Sequence, residues 1–196
     1  DPEVAERAAR VALAAEQPER ARRAIERWAA LAPESLEMRS AALSLALSRG
    51  EEAAALEHAQ VLVDEGSDSA FGTLLATLAD SRGDAAVMAR AVMRQLFTLG
   101  HLPDQFQAWL AFAATARRID GRALSEEVVL AGMARFPDDP RARLLAASRQ
   151  REAGDAAGAR ATLASLGDPA TMPADVRRLA AAALARRGAP VAAARL

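Results

Sequence analysis

Only two side chains of this chain, His58 in "ALEHAQVL" and His101 in "LGHLPD", carry an imidazole, the group most often used for metal binding and proton transfer. A zinc or di-metal site needs three or four converging ligands, and no second histidine stands three or four residues from either one. Both are therefore expected at the surface. Ser40, Ser44, Ser48 and Ser148 offer hydroxyls, but a serine nucleophile needs a strand-to-helix elbow and the pattern predicts no strand. "GHLPDQFQ" lacks a glycine-rich phosphate cradle, and no segment reads as a Walker or dinucleotide loop. The acidic pairs Glu51-Glu52, Glu126-Glu127 and Asp138-Asp139 are expected to open helices, where carboxylates complement the positive end of the dipole. Cysteine is absent, which excludes disulfides, thiolate ligands and cysteine nucleophiles. No catalytic residue, metal or cofactor is expected, and so no enzyme activity in this chain.

The remaining chemistry is that of recognition. Arg22-Arg23, Arg117-Arg118, Arg177-Arg178 and Arg186-Arg187 would suit phosphates, but interleaved aromatic residues are missing and the net charge is −1, so nucleic acid is not an expected partner. Charge is mildly polarised, at −5 over residues 1–100 and +4 over residues 101–196. The aromatic residues Phe71, Phe97, Phe106, Trp109 and Phe112 gather mid-chain and are expected in the core, an exposed partner anchor being the alternative. Met88 and Met93 carry the same pair of readings.

What must position these groups is helical. Of 196 residues, 52% are apolar, largely alanine and leucine with the best helix propensities, and aromatics are only 4%. No apolar run approaches the ~20 residues of a membrane span. Glycines recur at Gly50, Gly83, Gly121, Gly154 and Gly188, at intervals of 33, 38, 33 and 34 residues. A step of 34 back from Gly50 reaches Glu16 in "AAEQPERA", where a proline replaces the glycine turn. About 14 helical residues on each side of the turn make a pair too short to bury its own apolar faces, so the pairs must stack. Pro33, Pro103, Pro137 and Pro140 mark unit ends, and Asp104 and Asp139 lie near starting helices.

This pattern resembles the tetratricopeptide repeats, whose second helix places an alanine first, a bulky apolar residue four later and a proline at its end. Ala21, Ile25 and Pro33 stand at those places, as do Ala159 and Leu163; Trp109, Phe112 and the small Ala113 match the first helix. Trp28 departs from the pattern by filling a place usual for alanine, Met88 and Ser125 replace the second-helix alanine, and the fourth interval is stretched by about four residues. The resemblance implies an all-α, right-handed α-solenoid of stacked helix-turn-helix repeats in a single array. The expected repeats are 1–33, 34–67, 68–102, 103–138 and 139–171, with 172–196 incomplete.

Family groove positions, on the first helix of each pair, fall on Glu6, Arg10, Ser40, Ser44, Thr73 and Thr77, then Gln107, Leu110 and Arg117, then Leu144, Ser148, Arg151, Arg178 and Arg186. The resemblance implies a short-polar groove in front and an arginine-lined one behind, with Arg117, Arg151 and Arg178 expected to serve an acidic or C-terminal carboxylate partner. The chain has no lysine, which disfavours the family's carboxylate clamp. Residues 1–39 also resemble the opening repeats of Gram-negative tetratricopeptide lipoproteins, some of them adaptors for a periplasmic carboxyl-terminal processing protease. That implies a non-catalytic scaffold binding a protein or peptide, a protease or its substrates, in the periplasm, with a lipid anchor to the outer membrane lying outside this chain. A cytoplasmic peptide-recognising regulator and a helical module of a larger enzyme are the alternatives. The closing "RRGAPVAAARL" places Gly188 at a turn, Pro190 at a helix start and Ala193 at a packing position, and predicts an array continuing beyond Leu196.

Overall fold

A computed structural model describes residues 1–166, 174 and 176–178. Its described residues form helices and no strand. In order they are α1 Pro2–Ala14, α2 Pro18–Leu31, α3 Leu36–Arg49, α4 Glu52–Asp64, α5 Asp68–Ala79, α6 Gly83–Thr98, α7 Phe106–Arg118, α8 Arg122–Arg135, α9 Pro140–Glu152 and α10 Ala156–Ala164. Two compact units divide the chain, residues 1–128 and residues 129–196. Gly188, Pro190, Ala193, Arg186, Arg187 and Leu196 lie outside the described residues.

Local chemistry sets the helix starts. Ser35 and Ser67 each accept the backbone N–H three residues on, from Met38 and Ala70, at 3.1 Å. Asp139 accepts from Arg141 N and Asp155 from Gly158 N, both at 2.7 Å, and Pro2, Pro18 and Pro140 occupy first-turn positions where no N–H is missed. Two expected starts differ. Gln105, not Asp104, is the N-cap of α7. Glu126-Glu127 do not open a helix, because α8 begins directly after Gly121 and carries them past its first turn, where Glu127 pairs with Arg94.

Turns inside the pairs share one backbone device. Glu16, Gly50, Gly83, Asp120 and Gly154 all take positive φ, between 53° and 85°, and so recur at steps of 34, 33, 37 and 34 residues. At the fourth turn Asp120 holds the left-handed conformation at φ 62°, and the next residue, Gly121, is needed for close approach: a Cβ there would lie 2.9 Å from the Ala116 carbonyl oxygen. The backbone thus keeps a period that glycine marks only in part.

In the first unit the odd-numbered helices touch in succession, α1 with α3, α3 with α5 and α5 with α7, while α4 packs on α6 behind them. Helices adjacent in sequence also pack, making the architecture repeat-like. Alanine permits the close approach: Ala5, Ala9, Ala12, Ala21, Ala41 and Ala42 are buried with Ile25, Met38 and Leu45, and Trp28 fills the volume at one end of α2. Ala21, Ile25, Ala113, Ala159 and Leu163 are all buried. In the second unit α9 packs on α10 around Ala147, Ala159, Leu163, Leu166 and Val176.

The stretched interval has a structural source. α6 runs 16 residues, and residues 99–105 join it to α7 where residues 32–35 and 65–67 suffice for the earlier pairs. Trp109 Nε1 donates to the Pro103 carbonyl at 3.0 Å and its ring meets Phe97 edge-on at 6.0 Å, pinning this connection. Phe71, Phe106, Phe112 and Met93 are buried in the core, while Phe97, Trp109 and Met88 are half-buried.

Candidate functional site

α3 is the most enclosed helix of the first unit, contacting α1, α2, α4, α5 and α6. Met38, Ala41, Ala42, Leu43, Leu45, Ala46 and Leu47 are buried, leaving the stripe Glu37, Ser40, Ser44 and Ser48 open along one side. Steps of three and four residues place these four on one helical face. The matching stripe on α5 is Thr73, Ala76, Thr77 and, at its C-cap, Asp80. Between the stripes opens a concavity of about 480 Å³, closed at its sides by Arg10 and Leu13 of α1, Ser81, Arg82 and Ala85, with Trp28 at its floor.

Five expected groove residues, Arg10, Ser40, Ser44, Thr73 and Thr77, line this one space. The concavity also takes in Glu37, Asp80, Arg82 and Trp28, which the groove assignment from sequence omits. Glu37 and Asp80 each lie three residues along the helix from an assigned position, so extending the stripes by one turn finds them. Nothing in the sequence marks Trp28 as a floor residue, because its place in the repeat is normally a core alanine.

A hydrogen-bond chain ties the stripes together. Ser40 Oγ and Thr77 Oγ1 lie 2.8 Å apart across α3 and α5, and Thr77 Oγ1 lies 2.8 Å from the Thr73 carbonyl. A carbonyl only accepts, so the single Thr77 proton goes to Thr73, and Ser40 must donate to Thr77. Ser48 likewise donates to the Leu45 carbonyl at 2.8 Å. Arg10 pairs with Glu6 at 2.7 Å, and Arg82 Nη1 donates to the carbonyls of Ala79 and Ser81 at 2.8 Å each.

The other expected groove residues stand elsewhere. Gln107 and Arg117 are exposed on α7 and Leu110 is half-buried there; none borders the concavity. In the second unit Leu144 packs against the buried cluster, Ser148 donates to Glu152 at 3.3 Å, and Arg151 and Arg178 are exposed.

Neither histidine sits in the concavity. His101 Nδ1 lies 3.5 Å from Asp64, and His58, half-buried on α4, keeps a buried Nδ1 with no hydrogen-bond partner. Burial pushes the His58 pKa below its ordinary value, Arg39 adds to the fall and Glu57 opposes it. Among the described residues no three His, Asp or Glu side chains gather as a metal-holding group, and no helix is long and apolar enough to cross a membrane. Comparison of the chain with protein-family models, with curated proteins and with solved structures gives no match.

Proposed function

We propose that this chain is a tetratricopeptide-like α-solenoid that works as a non-catalytic interaction scaffold, holding a segment of a protein partner in the concavity of α1, α3 and α5. The observation that carries this reading is the meeting of five groove residues, assigned one helix at a time, around one open space between successive first helices. Stacked helix pairs characteristically present such a surface to partners. Short hydroxyl side chains there leave room for an incoming backbone, and the hydrogen bond between Ser40 and Thr77 holds the two stripes in register. The narrower reading, an envelope adaptor for a protease or its substrates, rests on the resemblance of residues 1–39 and on nothing else.

Filling the space is the direct test. Ser44 is exposed on α3, so Ser44→Trp adds bulk to the concavity without entering the core. Random peptides displayed on phage are selected on the wild-type chain and counter-selected on the variant. Peptides retained by the wild type and released by Ser44→Trp are expected. Retention indifferent to the substitution throughout the selected pool would contradict the proposal.

A further inference from the structure

The geometry points to a basic peptide as the occupant of this concavity, with arginine or lysine side chains set against Glu37, Asp80 and Trp28. The inference deepens the interaction reading and rests on it. Its first ground is where the hydroxyl protons go. Thr77 gives its proton to Thr73, Ser40 to Thr77 and Ser48 to Leu45, so these three oxygens offer a visitor only lone pairs. The wall accepts hydrogen bonds, and an occupant must bring the donors.

Charge agrees. Both lining arginines are engaged, Arg10 by Glu6 and Arg82 by two backbone carbonyls. The lining carboxylates keep acceptor capacity: Glu37 takes the Ser35 hydroxyl at 3.0 Å, and Asp80 stands 3.9 Å from Arg118, too far for a hydrogen bond. Trp28 is 2% exposed yet borders the space, so its indole forms part of the floor, and an indole attracts a cation. Residues 1–100 carry a net charge of −5, which draws a basic segment toward this end of the chain. A C-terminal carboxylate would meet acceptors and negative charge here.

Two labelled peptides of equal length, built on Ala-Ala-Arg and Ala-Ala-Glu repeats, are titrated into the full chain by fluorescence anisotropy at low salt. The arginine peptide is expected to bind the wild type and to lose affinity on Ser44→Trp. Glu37→Gln with Asp80→Asn is expected to weaken it by about threefold to tenfold, the range for two exposed ion pairs. Glu57→Gln with Glu126→Gln, an equal charge change on exposed helix positions, is expected to leave it within about twofold. Circular dichroism melts confirm that each variant folds. Equal weakening by the two double variants overturns the basic occupant. Tighter, Ser44-dependent binding of the glutamate peptide also overturns it and leaves the groove reading standing. If neither peptide responds to Ser44→Trp, both readings fall.

Discussion

A histidine that folding keeps from charging makes stability depend on pH in a definable direction. His58 is half-buried on α4 with Nδ1 unpaired, and its pKa lies below the ordinary 6.5, first through burial and then through Arg39. Between that value and the lower folded one, the unfolded chain binds more protons than the folded chain, so stability falls as pH drops. Glu19 behaves as a carboxylate with the same sense in a lower window. Hydrogen bonds from Arg22 and then Arg49 hold its pKa below 4.5, and what they contribute is lost as pH falls through the carboxylate range. The windows are separate, which isolates the histidine. His58→Gln is expected to flatten the loss of urea midpoint between about pH 7 and pH 5.5, ahead of carboxylate titration. An unchanged loss in the variant would show that another group titrates there.

At the scale of elements, the turn inside each helix pair does more to set the architecture than any single contact. Glu16 holds φ 53° where Gly50 holds 71° and Gly154 holds 85°, so the first turn keeps its left-handed residue with a side chain that disfavours it. Glu16→Gly is expected to raise stability by about 0.5–1 kcal/mol, the relief of left-handed strain outweighing the added freedom of the unfolded chain. Thermal and urea unfolding measure this, and a lowered midpoint would contradict it. These turns explain what could be read beforehand. Glycine at Gly50, Gly83 and Gly154 exposes the period directly. Glu16 was reachable only by counting back from Gly50, and Asp120 was hidden because Gly121 stands beside it for a different reason, its approach to Ala116. The stretch before α7 showed as an irregular interval, but its cause did not, since Trp109 and Phe97 pin the connection through contacts that spacing cannot encode.

For the whole molecule, periodicity carried the helices further than it carried the site. Ser40, Ser44, Thr73 and Thr77 were legible as groove residues because small polar side chains on an otherwise apolar helix must face an open side. Arg10 joins them through α1. Trp28 was not legible, because an aromatic residue at a packing position looks the same whether or not one of its edges borders a cavity. The donor count was invisible too: which hydroxyl gives its proton to which carbonyl depends on the distance between α3 and α5. The central claim is that the inner face of α1, α3 and α5 receives a partner segment. The measurement that tests it most directly is an amide chemical-shift titration of the isotope-labelled chain with a peptide chosen by the display selection. The account predicts that the largest shifts fall on α1, α3, α5 and the Asp80–Arg82 turn. Shifts confined to α4 and α6, or to residues 129–178, would contradict it.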